Sequence, residues 1–274
     1  MALAHSDIRG MLEVAEVAAR LAGQRAMEEL KYIKTSIKHN TELVTQADAI
    51  CQQLIISRIK EIYPDDGFIG EEGPNDKMLF QPPRTADPIW WVIDPIDGTN
   101  NYAHGLLNFA VSVAAVRAGR PIVGVIYDAA TESMYTAAIE TEAQLNGSRI
   151  TAGKDEISEF NSFGIDSHFT ADMAKGIHEI ISRTRFRNLG STALHLAYVA
   201  KGAMIGAVST VTKIWDIAAG AVLIERAGGI LTDIAGKPIF PVDLNAYSEQ
   251  EYRILAGNKK VYPEVLSIFT PPVT

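Results

Sequence analysis

From residue 6 to about residue 32, apolar residues recur at intervals of three and four, with Ile8, Met11, Leu12, Ala15, Ala18, Leu21 and Ala22 in one stripe. That period predicts an amphipathic helix laid on a core. A second helix is predicted from about residue 45 to residue 62, stopping short of Pro64, with the polar run Lys38-His39-Asn40-Thr41 as a loop before it. Gly67-Phe68-Ile69-Gly70 reads as a short strand entering a mobile, proline-containing loop over residues 74–88. Ile89-Trp90-Trp91-Val92-Ile93 is continuously apolar, the pattern of a strand buried on both faces. It stops abruptly at Asp94-Pro95-Ile96-Asp97-Gly98-Thr99, which reads as a rigid turn.

Strand-like runs at 109–117, 122–127 and 133–138 follow, separated by short turn signals that predict an antiparallel meander. Thereafter strands at 162–165, 186–189, 204–208 and 230–233 alternate with helices at 170–182, 191–200 and 216–227, which implies layered helix and sheet packing. No repeat or linker divides the chain. The expectation is one domain over residues 1–274, or two tightly packed lobes meeting near residue 150.

Composition narrows the class. With 274 residues, 47% of them hydrophobic, the core is substantial, and a net charge of −8 without a basic run weighs against a nucleic-acid partner. Cys51 is the single cysteine, which excludes an internal disulfide and a cysteine-rich metal site and suits a reducing compartment. Its apolar helical setting favours a buried structural thiol. Neither a signal-peptide pattern at the N-terminus nor a run of ~18 apolar residues is visible, so a cytoplasmic location without a membrane span is expected.

The candidate chemistry starts at the strand end. Asp94 and Asp97, three apart around Pro95, crowd two carboxylates, and such a pair repels unless a cation neutralises it. A hard divalent ion such as magnesium takes oxygen ligands and keeps waters, so a few carboxylates and a phosphate complete its shell. The plain alternative is a turn, since Asp and Gly are common turn formers. Similarly, Glu71 and Glu72 read as solvated loop charges, Asp216 as a helix N-cap and Asp48 as an exposed helix position if each is taken alone. The six histidines lack ligand spacing, and His195 reads as structural.

The whole run WVIDPIDGTNNYAHG resembles the signature of the inositol monophosphatase family, an Asp-Pro-Ile-Asp-Gly-Thr run after an apolar strand. Three further segments are similar to that family's elements: Gly70-Glu71-Glu72, Trp215-Asp216-Ile217-Ala218-Ala219-Gly220 with Glu225-Arg226-Ala227-Gly228-Gly229, and Val44-Thr45-Gln46-Ala47-Asp48. What the resemblance implies is a layered αβαβα sandwich, usually dimeric. It also implies a phosphatase in which Glu71, Asp94, Asp97, Asp216 and the Ile96 carbonyl hold two or three magnesium ions. Thr99 and Asp48, with Glu71, would then activate a water, Gly98 and Thr99 amides would hold phosphate, and lithium would inhibit.

Substrate choice is less constrained. The family's animal members carry an inositol-binding glutamate seven residues before the second-signature aspartate, and Ser209 stands there in this chain. Thr192 stands where they have alanine, so Ser209 and Thr192 are the expected substrate contacts. Lys213 at the rim, and Arg183, Arg185 and Arg187 upstream, could instead serve a second phosphate or a dimer interface. Inositol monophosphate is the leading substrate, with histidinol phosphate, fructose 1,6-bisphosphate and an adenosine 3′,5′-bisphosphate as rivals. A protein- or RNA-binding role in transcription assemblies, as some bacterial members have, is the rival of another class.

Overall fold

The computed structural model describes residues 5–32, 35–38 and 42–270. In chain order these form α1 (His5–Glu29), β1 (Thr35–Lys38), β2 (Glu42–Thr45), α2 (Gln46–Lys60), β3 (Gly67–Gly70), β4 (Leu79–Gln81), β5 (Ile89–Asp97), α3 (Thr99–Ala103), β6 (Ala110–Arg117), β7 (Arg120–Asp128), β8 (Ser133–Ala138), β9 (Gln144–Leu145) and β10 (Ser148–Arg149). They continue as β11 (Ser162–Ile165), α4 (Ala174–Arg183), β12 (Arg185–Arg187), α5 (Thr192–Ala200), β13 (Gly206–Thr212), α6 (Ile214–Arg226), β14 (Gly229–Asp233), β15 (Tyr252–Asn258) and α7 (Tyr262–Phe269).

Alternation along the central strands builds the layers. In β5, Ile89, Trp91 and Ile93 join the core cluster that contains the inner face of α1 and α2, whereas Trp90 and Val92 join the cluster of α5 and α6. Both faces are apolar because both are covered by helices, which is why the run reads as unbroken hydrophobic sequence. The eight-stranded sheet has the order β10-β9-β8-β7-β6-β5-β3-β4, and the five-stranded sheet the order β12-β11-β13-β15-β14. Helices α5 and α6 lie between the sheets, and α4 and α7 pack on β12 and β15 of the smaller sheet's outer side. The result is an αβαβα sandwich, as expected. Close approach is obtained with small residues: a Cβ at Gly124 of β7 would sit 2.4 Å from the Ala219 carbonyl of α6.

Several local expectations change. Asp94 through Asp97 do not form a turn: β5 runs to Asp97, with a register shift between the pairs Asp94↔Ser112 and Asp97↔Ala110. Pro95 lacks an N–H to give to a ladder, and a bulge is where a strand tolerates it. Residues 39–41 of the predicted loop lie outside the described residues, while β1 and β2 pair as a small antiparallel sheet that the polar composition did not predict. Within the expected mobile loop, β4 pairs with β3. At the C-terminal end, β15 was not predicted and sits between β13 and β14, and α7 follows it.

Candidate active site

Strands β3 and β5 are parallel, with Gly70 opposite Ile93, so Glu71 leaves β3 beside Asp94, which is still paired with Ser112 of β6. Carboxyl ends of parallel strands are where open α/β sheets place ligands. The β5 bulge then brings Asp97 round beside Asp94, and α6 contributes Asp216 from across the sandwich. Ligand oxygens of Asp94, Asp97 and Asp216 lie within 4.8 Å of one another, a group that does not include Glu71. Asp216 is the third residue of α6, not its N-cap, and its Oδ2 accepts the Lys213 N–H at 2.7 Å. Asp94 Oδ1 accepts the Ile96 N–H at 3.0 Å. Asp97 Oδ2 accepts the Ala193 N–H at 2.7 Å and the Ser191 hydroxyl, both at the positive N-terminal end of α5.

Those donors are all uncharged, so the three carboxylates remain a concentration of like charge in a buried place. Burial first, and then the charges of Glu71, Asp97 and Asp216, push Asp94 well above the usual carboxylate range. Burial likewise raises Asp97, against the pull of Ser191 and the α5 amides, and raises Asp216, with Asp97 adding to it. Among the described residues none pairs a cation with Asp94, Asp97 or Asp216, and such a buried set of oxygen donors suits a hard divalent cation.

Asp48 sits behind this group. It is the third residue of α2, and its Oδ2 accepts the Thr45 N–H at 2.8 Å and the Thr45 hydroxyl at 2.6 Å. The Thr99 hydroxyl lies between two acceptors, Ile96 O at 3.0 Å and Asp48 Oδ1 at 3.3 Å. Desolvation pushes Asp48 up to about 6 in spite of the Thr45 bonds. Gly98 has φ +97°, and a Cβ there would meet the Asn108 carbonyl at 2.9 Å, so only glycine turns the chain from β5 into α3. One residue that the sequence did not single out holds the neighbouring loop: Gln52, buried on α2 one turn after Asp48, accepts the Glu72 N–H at 3.0 Å and donates to the Glu72 carbonyl.

Beside the cluster opens a cleft of about 210 Å³, lined among others by Asp97, Asp216, Asp166, Thr192 and Thr210. Thr192 is thus in the expected place. Ser209 is not: it is 1% exposed and lies beneath the cleft, whose wall is formed by Thr210 and Val211. Neither Lys213 nor the three arginines line it. Lys213 donates its Nζ to the Glu249 carbonyl at 2.8 Å, and Arg183 pairs with Glu179 and Glu264. Arg185 and Arg187 bond the Glu159 and Phe186 carbonyls. Asp166 was missed because nothing near it in sequence resembles a motif; the available signal was a carboxylate directly after a strand.

A profile of the inositol monophosphatase family matches residues 7–270. The chain is 32% identical over 272 residues to Nus factor SuhB of Pseudomonas aeruginosa, covering 95% of this chain and 96% of that protein. It is 34% identical to the fructose-1,6-bisphosphatase/inositol-1-monophosphatase of Thermotoga maritima, covering 86% and 84%. Among solved structures, the extragenic suppressor protein suhB of Bartonella henselae superposes with a TM-score of 0.86 at 25% identity, over 96% of this chain and all of that one. A match spanning both sheets, together with the carboxylates gathered between them, leaves one assignment: the chain belongs to the inositol monophosphatase family.

Proposed function

We propose that the chain hydrolyses a small monophosphate ester of a polyol, with inositol monophosphate as the leading substrate and magnesium as its metal. The observation that carries this reading is the buried cluster of Asp94, Asp97 and Asp216, whose hydrogen-bond donors are uncharged. These three, with Glu71 and the Ile96 carbonyl, are the groups that would hold two or three ions. When bound, magnesium neutralises phosphoryl charge and acidifies a water.

The chain's own residues do the rest. Asp48 Oδ1 receives the proton that the attacking water gives up, through the Thr99 hydroxyl that lies 3.3 Å away. Its pKa of about 6 suits a base working near neutral pH. Backbone amides of Gly98 and Thr99 meet phosphate oxygens, and the fixed position of Asp97 on the α5 N-terminus keeps the site from reorganising during reaction. Gln52 holds the Glu71-Glu72 backbone in register with Asp94.

Phosphate release from inositol 1-phosphate, histidinol phosphate, fructose 1,6-bisphosphate and adenosine 3′,5′-bisphosphate, with magnesium and with a chelator, tests the reading. Chelator-sensitive release that is fastest with inositol 1-phosphate is expected; no release from any compound refutes it. A second reading, a partner role, is favoured by the likeness to a protein named Nus factor SuhB. The net charge of −8 weighs against direct RNA contact, so a protein partner is the form of it to test, by co-purification with a catalytically silent variant.

A further inference from the structure

One wall of the cleft has no part in the hydrolytic chemistry described so far. Strands β11 and β13 are parallel, with Ile165 opposite Val208, so Asp166 leaves β11 beside Ser209, which is still paired with Ile254 of β15. The Asp166 carboxylate lines the cleft, and under it lie two buried polar atoms, Ser209 Oγ and His195 Nδ1, of which the hydroxyl is close enough to bond the carboxylate weakly. His195 is fully buried, and its Nε2 accepts the Leu189 N–H at 3.0 Å. The other ring nitrogen, Nδ1, stands 3.7 Å from Asp166 Oδ1. Burial keeps the imidazole neutral, holding its pKa down to about 4.

A buried hydroxyl and a buried imidazole behind a single carboxylate form a polar arrangement that packing alone does not require. They orient Asp166 with neutral dipoles and leave its charge uncancelled, since no Lys or Arg is among the described residues that line the cleft. An uncancelled carboxylate is a strong acceptor for O–H groups and repels phosphate. The cleft volume of about 210 Å³ is below the ~300–1,000 Å³ of sites for drug-sized ligands, which fits a small polyol ester.

We infer that Asp166 is the specificity-determining residue of the cleft: it accepts a hydrogen bond from a substrate hydroxyl near the esterified carbon and turns away esters that carry a second phosphate there. This rests on the phosphomonoesterase reading above and moves the selecting group from β13, where Ser209 is buried, to β11.

The test compares inositol 1-phosphate with cyclohexyl phosphate, a ring of the same size without hydroxyls, in the magnesium-loaded full chain. In the wild type, kcat/KM favours the inositol ester. Asp166→Ala is expected to reduce that preference about tenfold or more, chiefly through KM, and to relax the discrimination against fructose 1,6-bisphosphate. Asp166→Asn, which retains an acceptor oxygen, falls between the two. If the preference is the same in wild type and both variants, Asp166 does not select substrate and the inference is overturned, even though both esters are hydrolysed. If the wild type hydrolyses neither ester, the phosphomonoesterase reading itself has failed. Should Asp166→Ala not fold, as judged by circular dichroism, the Asp166→Asn ratio alone decides.

Discussion

Each sheet of the sandwich contains a parallel pair in which one strand stops while its neighbour runs on, β3 beside β5 in one and β11 beside β13 in the other, and each such place sets two side chains together. In the first sheet these are Glu71 and Asp94, two carboxylates, with Asp97 and Asp216 close by. In the second they are Asp166 and Ser209, one carboxylate and one hydroxyl, with a neutral imidazole beneath. Topology is the same at both ends, and the charge count differs. A crowd of carboxylates calls for a cation, whereas a single carboxylate backed by neutral groups can face an uncharged hydroxyl. Parallel strand ends choose the location of a site; the residues placed there choose its chemistry.

The comparison breaks most visibly at Asp94. Asp94→Asn is expected to lower kcat/KM by roughly a thousandfold or more, because a ligand charge is lost while the Ile96 N–H keeps its acceptor. Calorimetry without metal should show the variant at least as stable as wild type, since a repelled buried charge has been removed. A markedly destabilised variant would argue that Asp94 is structural.

Next in size is Asp48→Asn. The side chain can still accept from Thr45, so α2 keeps its cap, but the proton acceptor is lost and kcat should fall about a hundredfold. Wild-type activity should rise with pH through about 6 as Asp48 deprotonates, and that limb should disappear in the variant. An unchanged pH–rate profile would remove Asp48 from proton transfer.

Stability offers the third measurement. Asp48, Asp94, Asp97 and Asp216 all have folded-state pKa values above their ordinary ones. Between those two limits the folded protein holds protons that the unfolded chain has released, so the metal-free protein loses stability as pH rises from about 4 through 6 and beyond. Melting with chelator should give a lower Tm at pH 8 than at pH 5, by about 2–4 °C per kcal/mol lost. Added magnesium should raise Tm more at pH 8 than at pH 5, and equal shifts at the two pH values would contradict a carboxylate metal site.

The smallest effect belongs to the second strand end. The Ser209 hydroxyl bonds Asp166 only weakly, so Ser209→Ala should alter stability by less than about 1 kcal/mol in urea titration. A loss above about 2 kcal/mol would mean that the hydroxyl is a necessary partner for its surroundings.

Legibility followed the same division. The first strand end was readable because its residues are contiguous: an apolar strand, two aspartates, a glycine forced by its φ of +97°, and the start of a helix. The layered architecture was readable too, since helical and strand periods alternate cleanly through most of the chain. Asp94 to Asp97 was misread as a turn because Pro95 looks like a strand terminator when the bulge that accommodates it depends on pairing with β6. Strand β15 has only a brief apolar stretch at Ile254-Leu255-Ala256, and its identity comes from its two neighbours, β13 and β14. Asp166 and His195 are 29 positions apart in sequence (195 − 166) and meet only because β11 lies beside the start of α5 in the folded protein. No local period encodes that meeting.

The division of the metal-site carboxylates between β5 and the start of α6 has a consequence for biosynthesis. Asp94 and Asp97 leave the ribosome well before Asp216, and until α6 has docked they remain hydrated acidic groups without the third carboxylate. Their repulsion with Asp216 therefore arises only when the sandwich closes, at the same step that gathers the three carboxylates. A nascent chain so arranged holds its three-carboxylate cluster only once α6 has docked on the larger sheet.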